Sequence, residues 1–228
     1  MRAVLALIDR VRRDERGISL VELIVAMTLS VIVLAVAGAF LVSSQNASVT
    51  AQAVNMNTRS ASAAMNEMTR IMRSATNNPV ATGDDSQYAF QYASATNVRF
   101  FSYVNTTSTV TQPVQVQLGL DPARGTITET KWTGTAVQYT DYFAFPLSTQ
   151  ATLTAAPAST RTLANGVVSA SVFQFSDASG AVLGSPTVPL SATDLAKVRR
   201  VSISVTTGTS PTDPRATTLQ NSVSLANL

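Results

Sequence analysis

Residues 23–42 form an apolar run interrupted only by Thr28 and Ser30. At 1.5 Å per residue this run spans about 30 Å as a helix, the thickness of a bilayer core, and it predicts a transmembrane helix. Past the run the pattern changes period. Val49, Ala53, Met56, Ala63, Met65, Met68, Ile71 and Met72 recur at mixed spacings of three and four, and no Pro or Gly falls between residues 47 and 75. This is the signature of an amphipathic helix continuing to Ser74 or Ala75, where Asn77-Asn78-Pro79 stops it.

From residue 80 onward Thr, Val, Tyr, Phe and Ser dominate, with turn residues at short intervals. Strands are predicted at 88–92, 98–104, 114–118, 126–132, 167–175, 198–207 and 217–225. Val201, Ile203 and Val205 alternate with Ser202, Ser204 and Thr206, and Val172, Gln174 and Ser176 oppose Phe173 and Phe175. Turn signals lie at 119–125, 176–180 and 208–214. A long helix followed by strands argues an α+β fold, in which the N-terminal helix packs on a C-terminal antiparallel β-sheet domain.

Charge fixes the orientation. Only 13% of the 228 residues are charged, against about 25% in ordinary domains. Of the net +3, residues 1–17 carry +2, from five Arg against Asp9, Asp14 and Glu15. By the positive-inside rule this tip stays cytoplasmic and the rest crosses the membrane. The remaining body is nearly neutral, so a DNA partner has only weak support. The chain has no Cys and no His, which excludes disulfides, thiol nucleophiles, His bases and Cys/His metal sites.

Three readings of the N-terminus compete. A conventional signal peptide has an apolar core of 7–15 residues followed by a small-residue cleavage site, and this run is longer. A plain signal anchor explains length and orientation but leaves Glu22 unexplained, because a carboxylate at the head of a membrane helix is costly and is a functional candidate by default. The third reading uses every residue. Arg16-Gly17-Ile18-Ser19-Leu20-Val21-Glu22-Leu23-Ile24-Val25 resembles the class III signal of type IV prepilins and pseudopilins. Segments 163–169, 173–180 and 198–205, with Arg70-Ile71-Met72-Arg73 at the helix end, are similar to J-type pseudopilins and W-type minor pilins.

The resemblance implies a particular life history. A prepilin peptidase cuts between Gly17 and Ile18, on the cytoplasmic side, so the apolar helix stays in the mature chain. Ile18 is then N-methylated, and Glu22 is the assembly residue. The residue types suit those roles. Gly17 lets an extended strand enter a narrow protease cleft. Cleavage leaves a charged amine on Ile18, the natural partner for a buried Glu22 carboxylate, from the same or a neighbouring subunit. The expected organisation is a cleaved leader (1–17), a transmembrane assembly helix (18–42), its amphipathic continuation (43–76) and a β-rich pilin domain (77–228). The implied partners are other pilin or pseudopilin subunits, the prepilin peptidase and the inner membrane. The chain would be single-pass in the cell membrane before assembly and part of a filament afterwards.

The remaining candidates have bland readings beside sharp ones. Met56, Met65, Met68 and Met72 are read as core packing rather than a cofactor site. Glu67, Arg70 and Arg73 are a solvated face with i, i+3 pairs. Gly38 is either a soft point in the helix or a place for close helix packing. Asp84-Asp85 suit a solvated loop better than a Ca²⁺ site, and Arg199-Arg200 a strand edge better than a DNA contact. Trp132 and the Tyr residues are read as sheet and core residues, with an aromatic loop at 139–145 that could meet a partner. No glycine-rich phosphate loop and no nucleophile with a base occurs, so the expectation is a structural subunit, not an enzyme, with no cofactor. The alternative is a filament-borne ligand-binding subunit for DNA uptake or adhesion.

Overall fold

The computed structural model describes residues 19–80, 86–103, 113–226 and 228. Two compact units are distinguished, the first ending at Ala51 and the second comprising Gln52–Leu228. One helix, α1 (Leu20–Arg73), begins in the first unit and ends in the second. Leader residues 1–17, Ile18, Asp84-Asp85 and Val104 at the end of the predicted 98–104 strand lie outside the described residues.

In the second unit, α1 places Ala61, Ala64, Met65, Met68, Ile71 and Met72 on one buried face, at spacings of three, one, three, three and one. The helix stops at Arg73, one or two residues before the expected end, as Ser74 and Ala75 turn back to the Ile71 and Met72 carbonyls. Met56 does not join the core. It is 72% exposed, because nine residues at about 100° each set it half a turn away from Met65, on the face opposite the core, while its neighbours Asn57 and Thr58 reach Arg215 and Thr217.

The sheets are antiparallel. Strands β1 (Asn78–Pro79) and β2 (Ser86–Gln87) form a short ribbon. A five-stranded sheet runs in the order β3 (Phe90–Ala93), β4 (Asn97–Ser102), β5 (Val114–Asp121), β6 (Thr126–Thr133) and β9 (Ser159–Ala164). Another ribbon pairs β7 (Thr135–Ala136) with β8 (Phe143–Ala144). A four-stranded sheet runs in the order β11 (Val182–Leu183), β10 (Phe173–Ser176), β12 (Arg200–Thr207) and β13 (Thr217–Ser224). A one-turn helix, α2 (Ala192–Leu195), precedes β12 and is capped by the Ser191 hydroxyl.

Alternation brings both sheets to one core. Val98 and Phe100 of β4, Val116 and Leu118 of β5, and Val201, Ile203 and Val205 of β12 are buried in the same cluster as the α1 methionines. Phe90 bridges the two sheets, 5.7 Å from Phe100 and 6.3 Å from Phe175 between ring centroids. Met68 is completely buried here. Met68→Ala is therefore expected to cost about 2–5 kcal/mol of unfolding free energy. Met56→Ala in the same denaturant titration should change it by less than about 0.5 kcal/mol.

The second face of the five-stranded sheet is covered by an irregular segment, 146–155, held through polar side chains. Arg99 donates to the Ser148 carbonyl at 2.5 Å and the Gln150 carbonyl at 2.9 Å. Gln115 donates to Pro146, Gln117 to Ala151, and the Trp132 indole to Ala155. Arg99 is fully buried without a carboxylate counter-ion among the described residues; burial lowers its pKa from the ordinary value, and the Tyr92 ring 5.7 Å away opposes that shift. Its carbonyl partners disperse a charge that burial alone would make prohibitive.

Some strand expectations need correction. The 167–175 stretch is a strand only from Phe173, because Gly166 takes a left-handed φ of +68° and the Ser169 hydroxyl accepts the Thr206 N–H in place of a ladder carbonyl. Strand β9 was not expected. It is an edge strand exposed over most of its length, so it lacks the alternation that marks a half-buried strand. Arg199-Arg200 do not sit on a sheet edge: Arg200 opens β12, which lies between β10 and β13, and Arg199 donates to the Ala196 and Val198 carbonyls. Trp132 and Tyr92 are buried, whereas Tyr88, Tyr103, Tyr139 and Tyr142 are exposed.

Glu67 and Arg70 form the expected i, i+3 pair, at 2.6 Å, but they belong to a larger cluster. Arg161 of β9 reaches both Glu67 of α1 and Glu129 of β6, and Lys131 approaches Glu129 at 2.9 Å. The hydrogen-bonded Arg70 guanidinium, with Arg161 beside it, holds the Glu67 carboxyl down at about 2 from an ordinary 4.5, against the opposing effect of partial burial. A carboxyl with a depressed folded-state pKa contributes stability that is fully present above its unfolded value. That contribution is lost as pH falls from about 4.5 toward 2. Solvent screening of the two arginines leaves about 1–2 kcal/mol. Denaturation midpoints measured at pH 6 and pH 2.5 should show this loss, and Glu67→Gln should remove the Glu67 share of it.

Candidate functional site

The described part of the first unit is Ser19 and the N-terminal part of α1, and its chemistry begins at the cap. Ser19 is the residue before the helix. Its hydroxyl accepts the Glu22 N–H at 3.1 Å, and the Glu22 carboxylate accepts the Ser19 N–H at 3.3 Å. This is a reciprocal capping box, two otherwise orphaned N–H groups being satisfied by two side chains. It also sets a negative charge in the first helical turn, where the helix dipole favours it.

Ser19-Leu20-Val21-Glu22 is an S-x-x-E pattern directly before an apolar run, the known sequence mark of a capping box, so the pairing of Ser19 with Glu22 was legible and was missed. The resemblance assigns Glu22 only the role of partner to an amine. Gly17 and Ile18, the expected cleavage pair and methylation site, lie outside the described residues. Among the described residues no ionic partner for Glu22 is seen.

Every residue from 19 to 52 is exposed. Along 20–42 this leaves Leu, Ile, Val, Met and Phe side chains uncovered on all sides. A helix apolar all round is stable only in lipid or among other apolar helices. Its two polar interruptions are satisfied internally: Thr28 donates to the Val25 carbonyl at 2.9 Å and Ser30 to the Ala26 carbonyl at 2.7 Å. That is the arrangement hydrocarbon demands, where no water can meet a hydroxyl. The helix is long and apolar enough to cross a membrane. At Gly38 a Cβ would meet nothing within 4 Å, so no packing among the described residues requires the glycine.

Residues 12–38 match the family model described as the prokaryotic N-terminal methylation motif. No curated protein matches the chain. The matched segment contains the Gly17-Ile18 pair, the Ser19–Glu22 cap and most of the apolar helix. Together with the long exposed helix and the α+β fold, the match supports a type IV pilin-like protein carrying a class III signal.

Proposed function

We propose that the chain is a minor pilin or pseudopilin. A prepilin peptidase cuts it between Gly17 and Ile18, the Ile18 amine is methylated, and the helix from Ile18 to Val42 is first held in the inner membrane. The 43–76 stretch continues the helix into a β-rich pilin domain, 77–228. On extraction from the membrane, the Glu22 carboxylate pairs with an Ile18 amine and sets axial register. The subunit then takes a J- or W-type place in the tip complex that primes a type IV pilus or a type II secretion-like filament, outside the cytoplasmic membrane.

The observation that carries this reading is the methylation-motif match at 12–38, which brackets the cut site and the Glu22 cap at the head of an uncovered apolar helix. The J- or W-type assignment rests on the similar segments of the β-rich domain. Filaments sheared from peptidase-positive cells should contain the chain at a few copies per major subunit array, and peptidase-negative cells should retain it in the membrane fraction. Equal membrane retention in both strains would remove the filament role.

A further inference from the structure

The four-stranded sheet has a second face, turned away from the core, that is rich in hydroxyl and carboxamide groups, with Arg200 as the cation at its end beside Ser176 and Ser224. The pairing register sets Gln174 of β10, Ser202 of β12 and Ser222 of β13 side by side in one row. Ser204 and Gln220 form the next row, two residues further along. Rows of this kind are about 7 Å apart along the strands and their members about 4.8 Å apart across them. The result is a grid of hydroxyl and carboxamide groups. Ser204 and Gln220 touch at 3.5 Å, while the Gln174, Ser202 and Ser222 side chains have no hydrogen-bond partner among the described residues.

Above this floor the chain builds a wall. After β11 it turns at Gly184, whose φ is +72° and where a Cβ would fall 2.3 Å from the Leu190 side chain, so only glycine permits the close fit. The return is fixed by the Ser185–Val188 bridge and by the Leu190 N–H, which donates to the Ala93 carbonyl at 2.8 Å. Floor and wall enclose a groove of about 610 Å³, within the usual size of a small-molecule site. Val182 and Val188 remain 58% and 60% exposed at its rim. Among the described residues none that lines the groove carries an ionisable side chain; Arg200, on the same sheet face, stands one row beyond it.

We infer that this groove is a binding site for a neutral saccharide. A lining without charge offers nothing to an anion or a cation and leaves no desolvated charge to penalise a neutral ligand. The hydroxyl and carboxamide grid supplies donors and acceptors at a spacing suited to several ring hydroxyls at once. The valine and leucine wall suits the C–H face that a pyranose ring presents beside its hydroxyls. A solvated sheet face would account for the floor, but not for a glycine-shaped turn that folds exposed apolar residues over it.

The test uses the full chain in a zwitterionic, sugar-free detergent, with maltose, cellobiose and N,N′-diacetylchitobiose as probes in saturation-transfer NMR. At least one should receive transfer at its ring C–H protons, with saturable binding. Ser204→Tyr fills the groove and should abolish the signal, while Gln220→Ala should weaken binding about tenfold, the scale of one or two lost hydrogen bonds. Thermal unfolding of both variants should match the parent, because both side chains lie on the outer face. Absence of transfer to all three sugars overturns the inference. So does transfer that persists in Ser204→Tyr, or a stronger signal from galacturonic acid, run as a charged control, than from the neutral probes. Processing at Gly17 does not bear on any of these outcomes.

Discussion

Arg161→Ala is expected to destabilise the Gln52–Leu228 unit by about 3 kcal/mol, far more than an exposed ion pair is worth. The reason is asymmetric burial. The Arg161 side chain is 51% exposed, whereas the Glu129 carboxylate it meets is 1% exposed. Deleting the arginine leaves that carboxylate inside the protein with Lys131 as its remaining cation, and a buried charge stripped of a partner carries most of its desolvation cost. The same arginine also ties α1 to the five-stranded sheet through Glu67, so its loss removes this polar tie beside the shared apolar core. Arg70→Ala removes a pair at the exposed end of the cluster, and should cost less than about 1 kcal/mol. Urea unfolding of the full chain in detergent, followed by the fluorescence of Trp132 on the same strand as Glu129, measures both. Equal small losses would mean that the cluster is a surface decoration rather than a clamp.

Substitutions at Glu22 should produce an all-or-none effect on assembly. Glu22→Gln keeps the capping box, since a carboxamide oxygen can still accept the Ser19 N–H, but it removes the charge. Glu22→Ala removes both, with a local cost of about 0.5–2 kcal/mol at the helix start. On the proposed mechanism, in which the carboxylate pairs with an Ile18 amine, both variants are processed normally and neither enters filaments. Quantitative immunoblots of sheared filaments and of membranes read this directly. Normal incorporation of Glu22→Gln would show that the cap alone suffices and that charge pairing is not what sets register.

The helix and its strands were readable because their periods differ. Met65, Met68, Ile71 and Met72 recur at helical spacing, and Val201, Ile203 and Val205 at strand spacing, and each set turned out to be the buried face of its element. Met56, nine residues before Met65, is half a turn out of phase with that set and is exposed. Mixed spacings of three and four do not by themselves keep every residue on one face. Strand β9 and the 146–155 cover were invisible for a different reason. Their place is fixed by long-range hydrogen bonds from Arg99, Gln115, Gln117 and Trp132, and by Arg161 with Glu129, none of which leaves a local pattern. At the N-terminus the reverse holds. Ser19 and Glu22 act within one turn, so their pairing is written in four consecutive residues. The groove on the four-stranded sheet needed the register, which alone places Gln174, Ser202 and Ser222 in a row.

The central claim is tested most directly by the intact mass and N-terminal sequence of the chain purified from cells with and without a prepilin peptidase. The account predicts a mature chain beginning at Ile18 and heavier by one methyl group when the peptidase is present, and an uncut chain when it is absent. A chain left uncut in both, or cut after the apolar run near residue 37, would contradict it and leave a signal anchor or an ordinary secreted β-rich domain.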